Sequence, residues 1–98
     1  MGLMSQYKIK DIPKSDRPRE KLIKHSAQFL SNSELLAILI GSGYKGKNVI
    51  QLAKDILSKY QSKNLPKLAY QEFISQKGIG KAAACRILAA FELATDYF

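Results

Sequence analysis

The residues in this chain best suited to chemistry with an anion are Lys77-Gly78-Ile79-Gly80-Lys81, with Ile74 ahead of them and Ala84 behind. Each type has a physical reason to stand where it does. Gly78 can take a positive φ that other residues resist. Gly80 has no side chain, so the backbone there can come close to a phosphate. Ile79 plugs the turn into a core, and Ala84 is small enough for two helices to meet closely. A helix starting at Gly80 or Lys81 exposes N–H groups that have no partner within the helix. Those donors and the positive end of the helix dipole make an anion site, to which Lys77 and Lys81 add full charge. The plainer use of the same residues is a C-terminal cap glycine followed by a tight turn. The apolar flanks, Ala84 and the adjacent lysines favour phosphate binding.

A second glycine-rich stretch, Gly41-Ser42-Gly43-Tyr44-Lys45-Gly46-Lys47-Asn48, spells two nucleotide-binding motifs imperfectly. As G-x-G-x-x-G it needs a strand before it and a second strand leading to an acidic residue, but Ser31 to Glu34 caps a helix ahead of it and no second strand appears around Gln61 to Pro66. As a phosphate-binding P-loop it has Asn48 where a Ser or Thr should coordinate magnesium, and no strand ending in Asp follows. A looser turn remains, with Gly43, Lys45, Gly46 and Lys47 as candidate contacts. Placing Lys47 on Lys81 places Gly46 on Gly80 and aligns the helices on both sides. The sequence therefore predicts one unit twice, helix, glycine turn, helix, related by a pseudo-two-fold axis. The second copy matches the helix-hairpin-helix pattern of apolar residue, Gly-apolar-Gly and a later Ala.

Five helices must hold these turns. Pro18 suits the first turn of a helix ending near His25, with Asp16 ahead of it. Ser31 with Glu34 is a capping box that opens a second helix through Ile40, stopped by Gly41. Val49, Leu52, Ala53, Ile56, Leu57 and Tyr60 fall on one helical face. Gln61 to Pro66 reads as a loop, and a fourth helix is predicted over 67–75 with Leu68, Phe73 and Ile74 inward. A fifth runs to Asp96, with Ala84, Ile87, Leu88, Phe91 and Ala94 on its apolar side. No stretch alternates with period two. The expected fold is all-α, with residues 1–16 an extended N-terminal segment and 17–98 a single helical domain.

The 98 residues carry sixteen Lys and Arg against eight Asp and Glu, a net charge of +8. This excess favours a polyanionic partner, with nucleic acid or an acidic membrane surface as the classes that qualify. Cys85 is the only cysteine and His25 the only histidine. Internal disulfides are excluded, and one residue of each kind cannot make a zinc site. Cys85 reads as a packing residue, and His25 as a partner of the carbonyls ending the first helix. The longest apolar run, Leu35 to Ile40, is too short to span a bilayer. No signal peptide is evident. No metal, no cofactor, no membrane association and a cytoplasmic location are expected.

Asp16-Arg17-Pro18-Arg19-Glu20-Lys21-Leu22, Leu30-Ser31-Asn32-Ser33-Glu34-Leu35-Leu36-Ala37-Ile38-Leu39 and Lys77-Gly78-Ile79-Gly80-Lys81-Ala82 resemble, in order, the N-terminal domain of the RadC family of bacterial proteins. The resemblance covers about Ile9 to Ala94. It implies a cytosolic protein associated with DNA repair. It also implies a further domain in family members, like the JAB-type metallo-isopeptidases, whose metal site needs a His-x-His pair and an Asp. With a single histidine, the chain is not expected to be an enzyme. The leading expectation is sequence-independent DNA binding through Lys77, Gly78, Ile79, Gly80 and Lys81 on one strand. Gly43, Lys45, Gly46 and Lys47 would face the other strand across the minor groove. Arg17, Arg19 and Lys21 read as a solvated helix face or as an extension of the basic strip. The alternative is a protein-interaction module serving a C-terminal metallo-isopeptidase-like domain, with Tyr97 and Phe98 at the interface.

Overall fold

The computed structural model describes residues 12, 13, 16–61 and 64–97, so most of the expected extended segment and Phe98 lie outside the described residues. Among the described residues there are five α-helices: α1 Pro18–His25, α2 Asn32–Ile40, α3 Val49–Lys59, α4 Tyr70–Ile74 and α5 Lys81–Thr95. Short 3-10 turns at Ala27–Phe29 and Leu65–Lys67 link them. Among the described residues the only β-type pairing is an isolated bridge between Tyr44 and Lys47.

Local chemistry sets most boundaries. Pro18 opens α1, where its missing N–H costs nothing. The Ser31 hydroxyl accepts from the Glu34 amide at 3.2 Å, and the Glu34 carboxylate accepts from the Ser31 amide at 2.9 Å. The same carboxylate pairs with Lys21 at 2.5 Å, which ties α1 to the start of α2. Partial burial raises the Glu34 pKa most, but Lys21 and the two Ser31 groups together hold it below the usual glutamate range. Lys21 is thus engaged within the domain, whereas Arg19 is exposed. Asn48 caps α3 by accepting from the Gln51 amide at 2.9 Å.

The core forms where α2, α3, α4 and α5 meet, around Leu36, Ile40, Leu52, Ile56, Phe73 and Ile87. Phe73 and Ile87 are wholly buried, and each such side chain contributes about 1.5–3 kcal/mol. Ala53 and Ala84 are equally buried, and their small size lets the helices approach. Arg86 fastens α5 to α2: its guanidinium donates to the Leu39 and Ile40 carbonyls, each at 2.7 Å. These are carbonyls that the end of α2 leaves unpaired.

Four expectations are corrected. The fourth helix is shorter than 67–75, because Pro66 favours a 3-10 turn over Leu65–Lys67 and α4 begins only at Tyr70. Leu65, read as part of a loop, is buried in the core. Cys85 is exposed, not packed, because the inward side of α5 is set by Ala83, Ala84 and Ile87. His25 is exposed at the end of α1, where the cap is the Ser26 amide donating to the Leu22 carbonyl.

Candidate nucleic-acid interface

The turn between α4 and α5 is open. Gly78 adopts φ +94°, a region L-residues avoid. Ile79 is buried, and its amide donates to the Gln76 carbonyl at 3.0 Å. Gly80 is the N-cap of α5, with φ −93° and ψ −175° and no side-chain cap. Its carbonyl accepts from the Ala84 amide at 3.0 Å. Among the described residues no group accepts from the amides of Gly80, Lys81 or Ala82. A Cβ on Gly80 would meet nothing within 4 Å, so neither φ nor packing within the domain demands glycine there. Lys77, Gly80 and Lys81 are all exposed, and neither lysine enters an ion pair among the described residues. Lys77 holds its ammonium 4.9 Å from the centre of the Tyr44 ring.

The turn between α2 and α3 is closed on itself. The Tyr44 and Lys47 amides donate to each other's carbonyls at 3.0 and 2.8 Å, with Lys45 and Gly46 at the tip. Gly46 sits at φ +89°. A Cβ on Gly43 would lie 2.2 Å from the Lys47 carbonyl oxygen, so this glycine is required by the turn itself. The Lys47 ammonium pairs with the Asp55 carboxylate, which also accepts from Gln51 at 2.9 Å. Lys47, and then Gln51, hold the Asp55 pKa below the usual aspartate range, while Asp55 raises that of Lys47. Lys45 is exposed.

The two turns touch. A Cβ on Gly78 would lie 2.5 Å from Tyr44 Cδ1 and 2.8 Å from a Leu52 methyl. The Tyr44 ring therefore fills the space that Gly78 leaves, with Lys77 above it. With its ring so occupied, Tyr44 is a packing group, not a free platform for a base. The structure brings Lys77, Gly78, Ile79, Gly80 and Lys81 together, and sets Gly43, Lys45, Gly46 and Lys47 in a neighbouring turn tied to it through Tyr44. Sequence reading missed Asp55 and Arg86. No motif marks either, although the i, i+4 spacing of Gln51 and Asp55 shows that they share a helix face.

Among the described residues no group of three His, Cys, Asp or Glu could hold a metal ion. No helix among them is long and apolar enough to cross a membrane. A family model described as UPF0758 N-terminal matches residues 9–85. This chain belongs to the UPF0758 N-terminal family. UPF0758 is the RadC-like family, in line with the resemblance drawn from the motifs. The chain is similar to UPF0758 proteins of Methanococcoides burtonii (45% identical over 89 residues) and Clostridium novyi (45% over 96). A third such relative, from Clostridium beijerinckii, is 48% identical over 90 residues. These matches cover 91%, 97% and 91% of this chain but 39%, 42% and 39% of the relatives. The UPF0758 N-terminal chain thus spans about two-fifths of the length of the curated relatives it matches. No solved structure matches it at a significant level.

Proposed function

We propose that this domain binds the DNA sugar-phosphate backbone without regard to sequence, through the Gly78–Lys81 turn and the start of α5. The observation that carries the reading is Gly80. It is exposed, a Cβ there would meet nothing within 4 Å, and among the described residues no group accepts from the amides that follow it. A phosphate oxygen fits donors so placed, and Lys77 and Lys81 supply the charge attraction that dominates non-specific binding. The units α2–α3 and α4–α5 are read as pseudo-two-fold copies. In the first, Lys47 is occupied by Asp55, which leaves Lys45 to reach the opposite strand across the minor groove. With the Tyr44 ring packed on Gly78, no aromatic platform at the turns is free to stack on a base, which favours backbone contacts over base readout.

Duplex binding of the wild type and of the double variant Lys77→Glu with Lys81→Glu, titrated over a range of salt, tests the proposal. Affinity should fall steeply with salt, and the double variant should lose roughly 100-fold with its thermal unfolding unchanged. Salt-insensitive binding, or equal affinity in the double variant, would refute it.

One observation favours a second reading, that of a docking module for the rest of a longer protein. Leu93 in the last turn of α5 and Tyr97 just beyond it are 60% and 75% exposed. A partner domain, the metallo-isopeptidase-like part implied by the resemblance, would cover them. Leu93→Ser with Tyr97→Ser should then weaken that association and leave DNA affinity intact.

A further inference from the structure

We infer that the phosphate-facing surface continues from the Gly78 turn onto the end of α3, with Lys59 as a further contact to the same strand. The inference rests on the DNA-binding reading and adds a residue that no glycine motif contains. Lys59 lies 22 positions before Lys81 in the chain, on a different helix. Its ammonium is 3.5 Å from the Gln76 side-chain oxygen and 5.5 Å from the centre of the Tyr60 ring. Gln76 is itself fixed, because its amide nitrogen reaches the Tyr60 hydroxyl at 2.8 Å and the Glu72 carbonyl at 3.3 Å. Gln76 directly precedes Lys77. The ammonium of Lys59 is therefore held at the entry of the turn, Lys77 within it and Lys81 at its exit.

Charge bookkeeping separates these lysines from the others the fold uses. Lys21 is paired with Glu34 and Lys47 with Asp55. Lys59, Lys77 and Lys81 are exposed and enter no ion pair among the described residues. The nearest acid in the chain to the turn, Glu72, directs a carboxylate oxygen to the Ala69 amide at 2.9 Å. It caps α4 and does not neutralise the lysines. Lys59 beside Gln76 and Lys77 over the Tyr44 ring are each steadied by a neutral neighbour, and with Lys81 such unneutralised cations suit a run of phosphates along one strand. Each phosphate neutralised releases condensed counterions, so each lysine contact is countable.

The experiment compares Lys59→Ala with Lys54→Ala, binding a mixed-sequence duplex over a salt series, with thermal unfolding of both variants as control. Lys54 is exposed on the same helix, about 140° around the axis from Lys59, and its removal changes the net charge equally. Lys59→Ala should flatten the log–log salt slope by about 0.9 and lower affinity roughly eightfold near 0.1 M salt, while Lys54→Ala should change it less than about twofold. Equal slopes for the two variants, with Lys77→Glu/Lys81→Glu still losing roughly 100-fold in affinity, would overturn the role of Lys59 and leave the turn reading standing. No duplex binding by the wild type would overturn both.

Discussion

The two glycine turns begin from similar residues and end in opposite states. In the first, Tyr44 and Lys47 close on each other, Asn48 caps α3, and Lys47 is matched by Asp55. In the second, α5 starts from a glycine with no side-chain cap, and among the described residues its first amides are unanswered and neither lysine enters an ion pair. The difference teaches that a Gly-Lys pair ahead of a helix is not itself an anion site. What matters is whether the helix's own residues already satisfy the donors and the charge. Asn48 answers the Gln51 amide and Asp55 the Lys47 charge at α3, and among the described residues none does either at α5. The closed turn then acts as a support, because its Tyr44 ring sits against Gly78.

Substitutions can break or sharpen this contrast. The largest effect is expected for Gly78→Ala, which combines positive φ with a Cβ 2.5 Å from Tyr44. It should destabilise the domain by about 2–4 kcal/mol, seen in thermal melts as a Tm lower by at least about 10 °C. Next comes Tyr44→Ala, which empties the space between the turns and should cost about 1–3 kcal/mol, whereas Tyr44→Phe keeps the ring and should be near neutral. Duplex affinity should fall with Tyr44→Ala and not with Tyr44→Phe. If affinity survives Tyr44→Ala, the open turn needs no support from the closed one.

Gly80→Ala should be the reverse of Gly78→Ala. Stability should change by less than about 1 kcal/mol, since φ is ordinary and the space is open. Duplex binding should weaken by about 1–2 kcal/mol as the Cβ enters the phosphate's position. Unchanged binding would remove the main support for the open turn as a contact.

The smallest effect is expected at the Lys47–Asp55 pair, a partly exposed ion pair worth about 0.2–1 kcal/mol. Lys47→Ala should lower stability by that amount and alter duplex affinity less than Lys77→Ala does. Because the Asp55 pKa is lowered in the folded state, the pair's contribution is complete above the ordinary aspartate range. It is lost as pH falls through Asp55's own lowered value. Thermal melts of wild type and Lys47→Ala should therefore converge in acid, and a constant difference across that range would contradict the linkage.

Much of this was legible in the residues, because it depends on neighbours in the chain. The Ser31–Glu34 box, Pro18 at the start of α1, the Gly41 stop and the apolar face of α3 are local matters of capping and periodicity, and each stands where expected. The shortened fourth helix and buried Leu65 were not legible, because burial overrode the loop-like composition around Pro66. Exposed Cys85 was misread because a short apolar side chain beside an apolar face carries no sign of which side of the boundary it falls on.

By itself the sequence determined where α1 and α2 start, where Gly41 stops α2 and which turn has Gly-apolar-Gly spacing, since backbone freedom and capping act over four or five residues. Only the tertiary structure decided which turn is spent on the domain and which is left open. Tyr44 against Gly78, Lys47 on Asp55, Arg86 on the end of α2 and Lys59 beside Gln76 join residues 8 to 47 positions apart. Such contacts exist only once the helices have packed, because packing brings together groups that local spacing leaves unrelated.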